Sequence, residues 1–110
     1  MLFADVAEMV EVRSATGRDV YYGEQARIYC IAQSSDESGV EWDLLKNNSD
    51  YKTLCSGNSA FGKYECKSNA TVNTLIINNV SFDDSGTYMC TEDGGRGPGR
   101  DSTVLQVIRK

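Results

Sequence analysis

The chain has 110 residues and a mass of 12.1 kDa, enough for one domain spanning residues 1–110 and too little for a second core. The 11 basic and 16 acidic side chains leave a net charge of −5, which repels nucleic-acid phosphates and anionic lipid, so neither is an expected partner. Histidine is absent, which removes the commonest general base near neutral pH and the commonest zinc ligand, and no apolar run approaches the roughly 20 residues of a membrane span.

In chain order, Ala26, Ile28, Cys30 and Ala32 alternate with Arg27, Tyr29 and Ile31, which predicts a half-buried strand within residues 24–32. Val40, Trp42 and Leu44 alternate with Glu41, Asp43 and Leu45 in the same way. Leu75, Ile77 and Val80 make a further apolar set, interrupted by Asn78 and Asn79; near the end Leu105 and Val107 alternate with Val104 and Gln106. Turn-forming residues fill 34–39, 46–50 and 94–99. No helical periodicity stands out, and short strands at roughly ten-residue spacing predict an antiparallel sandwich or barrel. A single proline, scattered glycines and no internal repeat offer no linker.

Cys30, Cys55, Cys66 and Cys90 are an even number in a short chain, as a disulfide framework requires, although spacing alone leaves three pairings open. The alternative is four buried thiols in a cytosolic domain. Against it stand three Asn-x-Ser/Thr acceptors for sugar, at Asn47, Asn69 and Asn79, which have a physical use only on the secretory route. The cysteines do not form the Cys-x-x-Cys knuckles that zinc prefers, so no metal and no cofactor is expected. Met1-Leu2-Phe3-Ala4 meets Asp5 at once and leaves no apolar core for a signal peptide. Met1 is read as an added initiator, and the chain as an excised ectodomain or a secreted module.

Trp42 lies between Cys30 and Cys90 on the inward face of its strand, and in Asp84-Ser85-Gly86-Thr87-Tyr88-Met89-Cys90 the tyrosine stands two residues before the second cysteine. This combination of Cys…Trp…Cys and tyrosine corner resembles the immunoglobulin superfamily over essentially the whole chain. The resemblance implies an all-β immunoglobulin-like Greek-key β-sandwich of two antiparallel sheets, with Trp42, Asp84, Gly86 and Tyr88 as its core signature. The interval between Cys30 and Cys90 has room for strands C′ and C″, which favours the variable set (V-type). Residues 73–80 resemble its E strand, and Lys63-Tyr64 resembles the opening of strand D. By analogy Lys63 pairs with Asp84; the plainer alternative is two solvated charges. On the same reading Cys30 pairs with Cys90, and Cys55 and Cys66 then pair with each other or stay free.

Trp42 is followed by Asp43-Leu44-Leu45-Lys46, and residues 99–102 lack an aromatic-glycine bulge; both departures argue against an antigen-receptor chain. Residues 40–45 and 86–90 are similar to membrane-distal domains of adhesion molecules and of innate immune-type receptors. The resemblance implies non-catalytic recognition of a protein partner through the GFCC′C″ face and the F–G loop. On that face the alternation sets Glu41, Asp43 and Leu45 on strand C, Thr87, Met89 and Thr91 on F, and Val104 and Gln106 on G. Arg96 and Arg100 belong to a glycine-rich F–G hairpin and are opposite in sign to Glu41 and Asp43, so cross-pairing between two copies would give a homodimer. Two alternatives are a secreted antigen-binding or soluble immune-type module that binds through its end loops, and a spacer that binds nothing. The glycines at 95, 97 and 99 resemble a phosphate cradle, but a strand follows them where such a cradle needs a helix. No residue set suits catalysis.

Overall fold

Branched and aromatic residues at alternate positions favour extended chain, and the computed structural model is built almost wholly from strands. It describes residues 10–14, 16–32, 40–46, 50–56, 59–60, 62–69, 72–92 and 100–109; of Val10, Ala32, Ser59, Asn69, Glu92 and Arg100 the backbone alone is described. The strands are β1 (Val10–Ser14), β2 (Asp19–Tyr21), β3 (Ala26–Ala32), β4 (Val40–Leu45), β5 (Tyr51–Ser56), β6 (Ser59–Ala60), β7 (Tyr64–Asn69), β8 (Val72–Ile77), β9 (Gly86–Glu92) and β10 (Arg100–Ile108). One sheet has the order β1-β3-β8-β7 and the other β2-β10-β9-β4-β5-β6. In immunoglobulin lettering these are A-B-E-D and A′-G-F-C-C′-C″, and the two strands beyond C are the addition that distinguishes variable from constant layouts.

Between the sheets lie the inward halves of the alternating runs: Ala26 and Ile28, Trp42 and Leu44, Leu75 and Ile77, Leu105 and Val107. The Cys30–Cys90 cystine crosses this core from β3 to β9 with its Cα atoms 6.4 Å apart. Trp42 stands in register with Cys90 on the neighbouring strand. A second cystine, Cys55–Cys66, joins β5 to β7 and so ties sheet to sheet again near the C′ and D edge. Its partners are 11 residues apart in sequence, and such a closure contributes about 3 kcal/mol in the chain-entropy model.

Three details break the simple pattern of antiparallel, alternating strands. The six-stranded sheet is mixed, because β2 runs parallel to β10, with Gln106, Val107 and Ile108 opposite Asp19, Val20 and Tyr21. The first strand changes sheets through the turn at Gly17 (φ 87°) without reversing direction, so it reaches β10 travelling the same way. The apolar set Leu75, Ile77 and Val80 does not lie on one strand: β8 ends at Ile77, Asn79 takes a left-handed φ of 52°, and Val80 enters the core from the turn. There the Val80 N–H donates to the Glu24 carbonyl at 2.9 Å. Finally, β5 carries an extra residue opposite Trp42 and Asp43, so that Leu54 and Cys55 are both buried and the alternation of the strand breaks. The expected turns at 34–39 and 94–99 lie outside the described residues, as do 47–49 of the 46–50 turn, which the Lys46 N–H closes on the Asp50 carbonyl at 3.0 Å.

Beside the Lys46 turn a 3₁₀ turn, Phe82–Asp84, leads into β9. Asp84 is 3% exposed, and its carboxylate accepts from the Ser81 N–H at 2.8 Å, the Lys63 ammonium at 2.6 Å and the Tyr64 hydroxyl at 3.2 Å. The Lys63–Asp84 pair is therefore a real contact under the sandwich. Tyr88 makes the tyrosine corner, its hydroxyl donating to the Asp84 carbonyl at 2.5 Å. Burial first, and then the negative charge of Asp84, push the Tyr64 hydroxyl up to about 12; the same causes in the same order raise Tyr88 further. Lys46, which follows β4, donates to the carbonyls of Asp83 and Ser85 and braces the same turn. Gly86 is required by close approach, since a Cβ there would stand 2.8 Å from Leu44 Cδ1 and 2.9 Å from the Leu45 carbonyl oxygen.

Candidate functional site

The alternation that buries Trp42, Leu44, Tyr88, Leu105 and Val107 sends their neighbours to the outer face of the six-stranded sheet. Strand register sorts those neighbours into rows that cross the strands. In one row Tyr51, Leu45, Thr87 and Val104 come from β5, β4, β9 and β10 in turn. In the next row stand Thr53, Asp43, Met89 and Ser102, and in the third Glu41, Thr91 and Arg100. Gln106 lies further along β10, opposite Asp19.

The first row is apolar along most of its width. Val104 is 42% exposed and Tyr51 69%, while Leu45, Thr87 and Met89 are half-buried. Tyr51 and Thr53 were not among the residues expected here, because the extra residue in β5 hides the period-2 pattern from which their direction would be read. Cross-strand pairs of this kind are the contact unit of a sheet surface, with opposed Cβ atoms about 5 Å apart.

Asp43 corrects the expectation of an exposed acid. It points to the outer face, as the alternation requires, yet it is 4% exposed. The reason is its place. Its strand has three strands on one side and two on the other, and a short side chain amid longer neighbours is screened from water. The Thr53 hydroxyl donates to Asp43 Oδ1 at 2.8 Å. Glu41, in the third row, is half-buried and engaged.

Arg96 and the rest of the F–G loop, residues 93–99, lie outside the described residues, as does the Arg100 side chain. The backbone alone places Arg100 in the row of Glu41. Of the sugar acceptors, Asn79 is exposed on the turn after β8, Asn69 closes β7 on the other sheet, and Asn47 lies outside the described residues. Two further residues hold the face in place without having been singled out: the Asp101 carboxylate on β10 accepts the Val12 N–H of β1 at 2.9 Å, and the Ser85 hydroxyl accepts the Val107 N–H at 2.9 Å.

An immunoglobulin-domain family model matches residues 11–93. Basigin of Cricetulus griseus is 33% identical over 86 residues, covering 77% of this chain and 34% of basigin. The macrophage colony-stimulating factor 1 receptor of Felis catus is 34% identical over 88 residues, 78% of this chain and 8% of the receptor. The tyrosine-protein kinase transforming protein fms of feline sarcoma virus (strain McDonough) matches to the same extent. In each case the chain spans well under two thirds of the relative and aligns with one portion of a longer protein. The two-sheet sandwich, its central cystine against Trp42 and the Tyr88 corner agree with these matches, and the chain belongs to the immunoglobulin domain family.

Proposed function

We propose that this is a variable-type, non-catalytic recognition domain of an extracellular receptor or adhesion molecule, and that it binds a protein partner through the outer face of β10-β9-β4-β5-β6 together with the F–G loop. The observation that carries the reading is the apolar row Tyr51, Leu45 and Val104 with Met89 beside it, set among hydroxyl-bearing and acidic residues. An apolar centre within a polar rim is the anatomy of a protein interface. Two cystines support an oxidising, extracellular setting. A receptor stands among the relatives by name. Asn69 on the other sheet leaves the proposed face open to a partner even when it carries sugar.

The test is a glycan wedge. Val104→Asn with Gln106→Thr creates a sugar acceptor on the β10 side of the proposed face, and Lys67→Asn with Asn69→Thr creates one on β7 of the other sheet. Fluorescent tetramers of each secreted form are applied to a panel of living cells. Sugar at position 104 is expected to abolish staining that the wild type gives, with sugar at position 67 leaving it intact. The reverse pattern rejects the face.

A further inference from the structure

We infer that Asp43 is the anchor of this face and that the partner presents an arginine side chain to it, with an apolar residue beside the arginine to meet the row of Leu45, Val104 and Tyr51. The inference rests on the face reading above and adds the chemistry of the ligand.

The first observation is a charge held in an unusual place. An acidic side chain that is nearly shut off from water needs donors in return, and a buried carboxylate gains most from charged ones. The donor to Asp43 among the described residues is the neutral hydroxyl of Thr53. Lysines and an arginine among the described residues are engaged elsewhere. Lys46 donates to the carbonyls of Asp83 and Ser85, Lys52 lies over the Tyr64 ring at 5.6 Å, Lys63 pairs with Asp84, and Arg109 lies over the Phe82 ring at 5.3 Å. Arg100 belongs by register to the row of Glu41, one row removed from Asp43.

The second observation is what surrounds the acid. Across the strands from it stand Thr53 and Met89, and in the adjoining row are Leu45, Val104 and Tyr51. An unbranched methionine re-packs at low cost, so a side chain arriving from a partner has a route to the carboxylate. Apolar neighbours then keep water away from the pair that forms. Arginine suits this setting better than lysine, because its planar fork matches a carboxylate and sheds water more readily than an ammonium does.

The test uses two capped peptides, acetyl-Leu-Arg-Leu-amide and acetyl-Leu-Glu-Leu-amide, titrated into the isotopically labelled, oxidised domain while backbone amide resonances are followed. The arginine peptide is expected to give saturable shifts centred on Asp43, Thr53, Met89 and Ser102, and the glutamate peptide none there. Asp43→Asn keeps an oxygen for Thr53 and loses the charge; it is expected to weaken the arginine peptide about tenfold or more. Thr53→Val removes the hydroxyl, keeps the charge and is expected to retain binding. Equal shifts from both peptides, or undiminished arginine binding in Asp43→Asn, overturn the anchor. Cell staining that is lost with sugar at position 104 but unchanged in Asp43→Asn rejects the anchor alone, whereas staining indifferent to that sugar rejects the face itself.

Discussion

Asp84 and Asp43 are buried to nearly the same degree, 3% and 4% exposed, and they are held in opposite ways. Asp84 sits at a corner where an ammonium, a phenol and a backbone N–H converge on one carboxylate. Asp43 sits on an outward surface with a hydroxyl as its described donor. A charge that serves the fold is surrounded by internal donors, because an unanswered buried carboxylate costs several kcal/mol. A buried charge whose described donor is one neutral hydroxyl does not stabilise the fold and is left to be answered from outside. The difference between the two environments, more than either residue alone, separates the architecture of this domain from its working surface.

The contrast breaks first at the corner. Asp84→Ala strips the acceptor from the Ser81 N–H and the Tyr64 hydroxyl, while Lys63, half in water, returns to solvent. Urea unfolding is expected to show a loss of about 3 kcal/mol, and a loss below about 1 would place the corner among ordinary surface sites. The next largest effect comes from the cystine that follows Thr53 along β5. Cys55→Ala with Cys66→Ala is expected to cost about 3 kcal/mol or somewhat less. An unchanged melting temperature would show that the β5 and β7 edge is held without it.

A smaller effect separates the corner from the face by pH. Tyr64 titrates near 10 in the unfolded chain and is pushed up to about 12 in the fold, so the unfolded state releases this proton first. The stability tied to it is complete below pH 10 and declines as pH rises from 10 toward 12. Tyr64→Phe is expected to cost about 1 kcal/mol at neutral pH and to flatten the alkaline decline, measured as unfolding midpoints across that range. The smallest effect belongs to the face. Asp43→Asn keeps an acceptor for Thr53 and removes a buried charge answered by a neutral hydroxyl, so it is expected to leave stability unchanged or to raise it, and a drop comparable to that of Asp84→Ala would erase the distinction between the two sites.

Much of the corner was legible in the sequence, because its partners are local or lie at fixed offsets from a cysteine. Tyr88 precedes Cys90 by two residues, Asp84 opens the same run, and Lys63-Tyr64 resembles a recognisable strand opening. The face was legible as alternation, which gives direction but says nothing of screening. Register sets Asp43 in an outward row between Thr53 and Met89, yet it is buried, and its burial depends on neighbours from β5 and β9 that no local pattern assigns. Tyr51 and Thr53 were hidden for a related reason: one added residue at Leu54 breaks the period of β5. The parallel placement of β2 has no sequence signature either, since it follows from a change of sheet at a glycine turn.

That parallel pairing also governs how the domain meets mechanical tension. When its two ends are drawn apart, β2 is tugged one way and β10 the other along the same line, so the bonds between them are loaded in shear and share the force. Beyond them the Cys30–Cys90 cystine short-circuits the chain, and the strands between those cysteines cannot be drawn out as slack. Single-molecule pulling of the oxidised domain is expected to show lengthening limited to residues outside that bond, with reduction restoring the rest. A module built in this way acts under load as a short, stiff link that transmits force while keeping β4 and its exposed neighbours in shape.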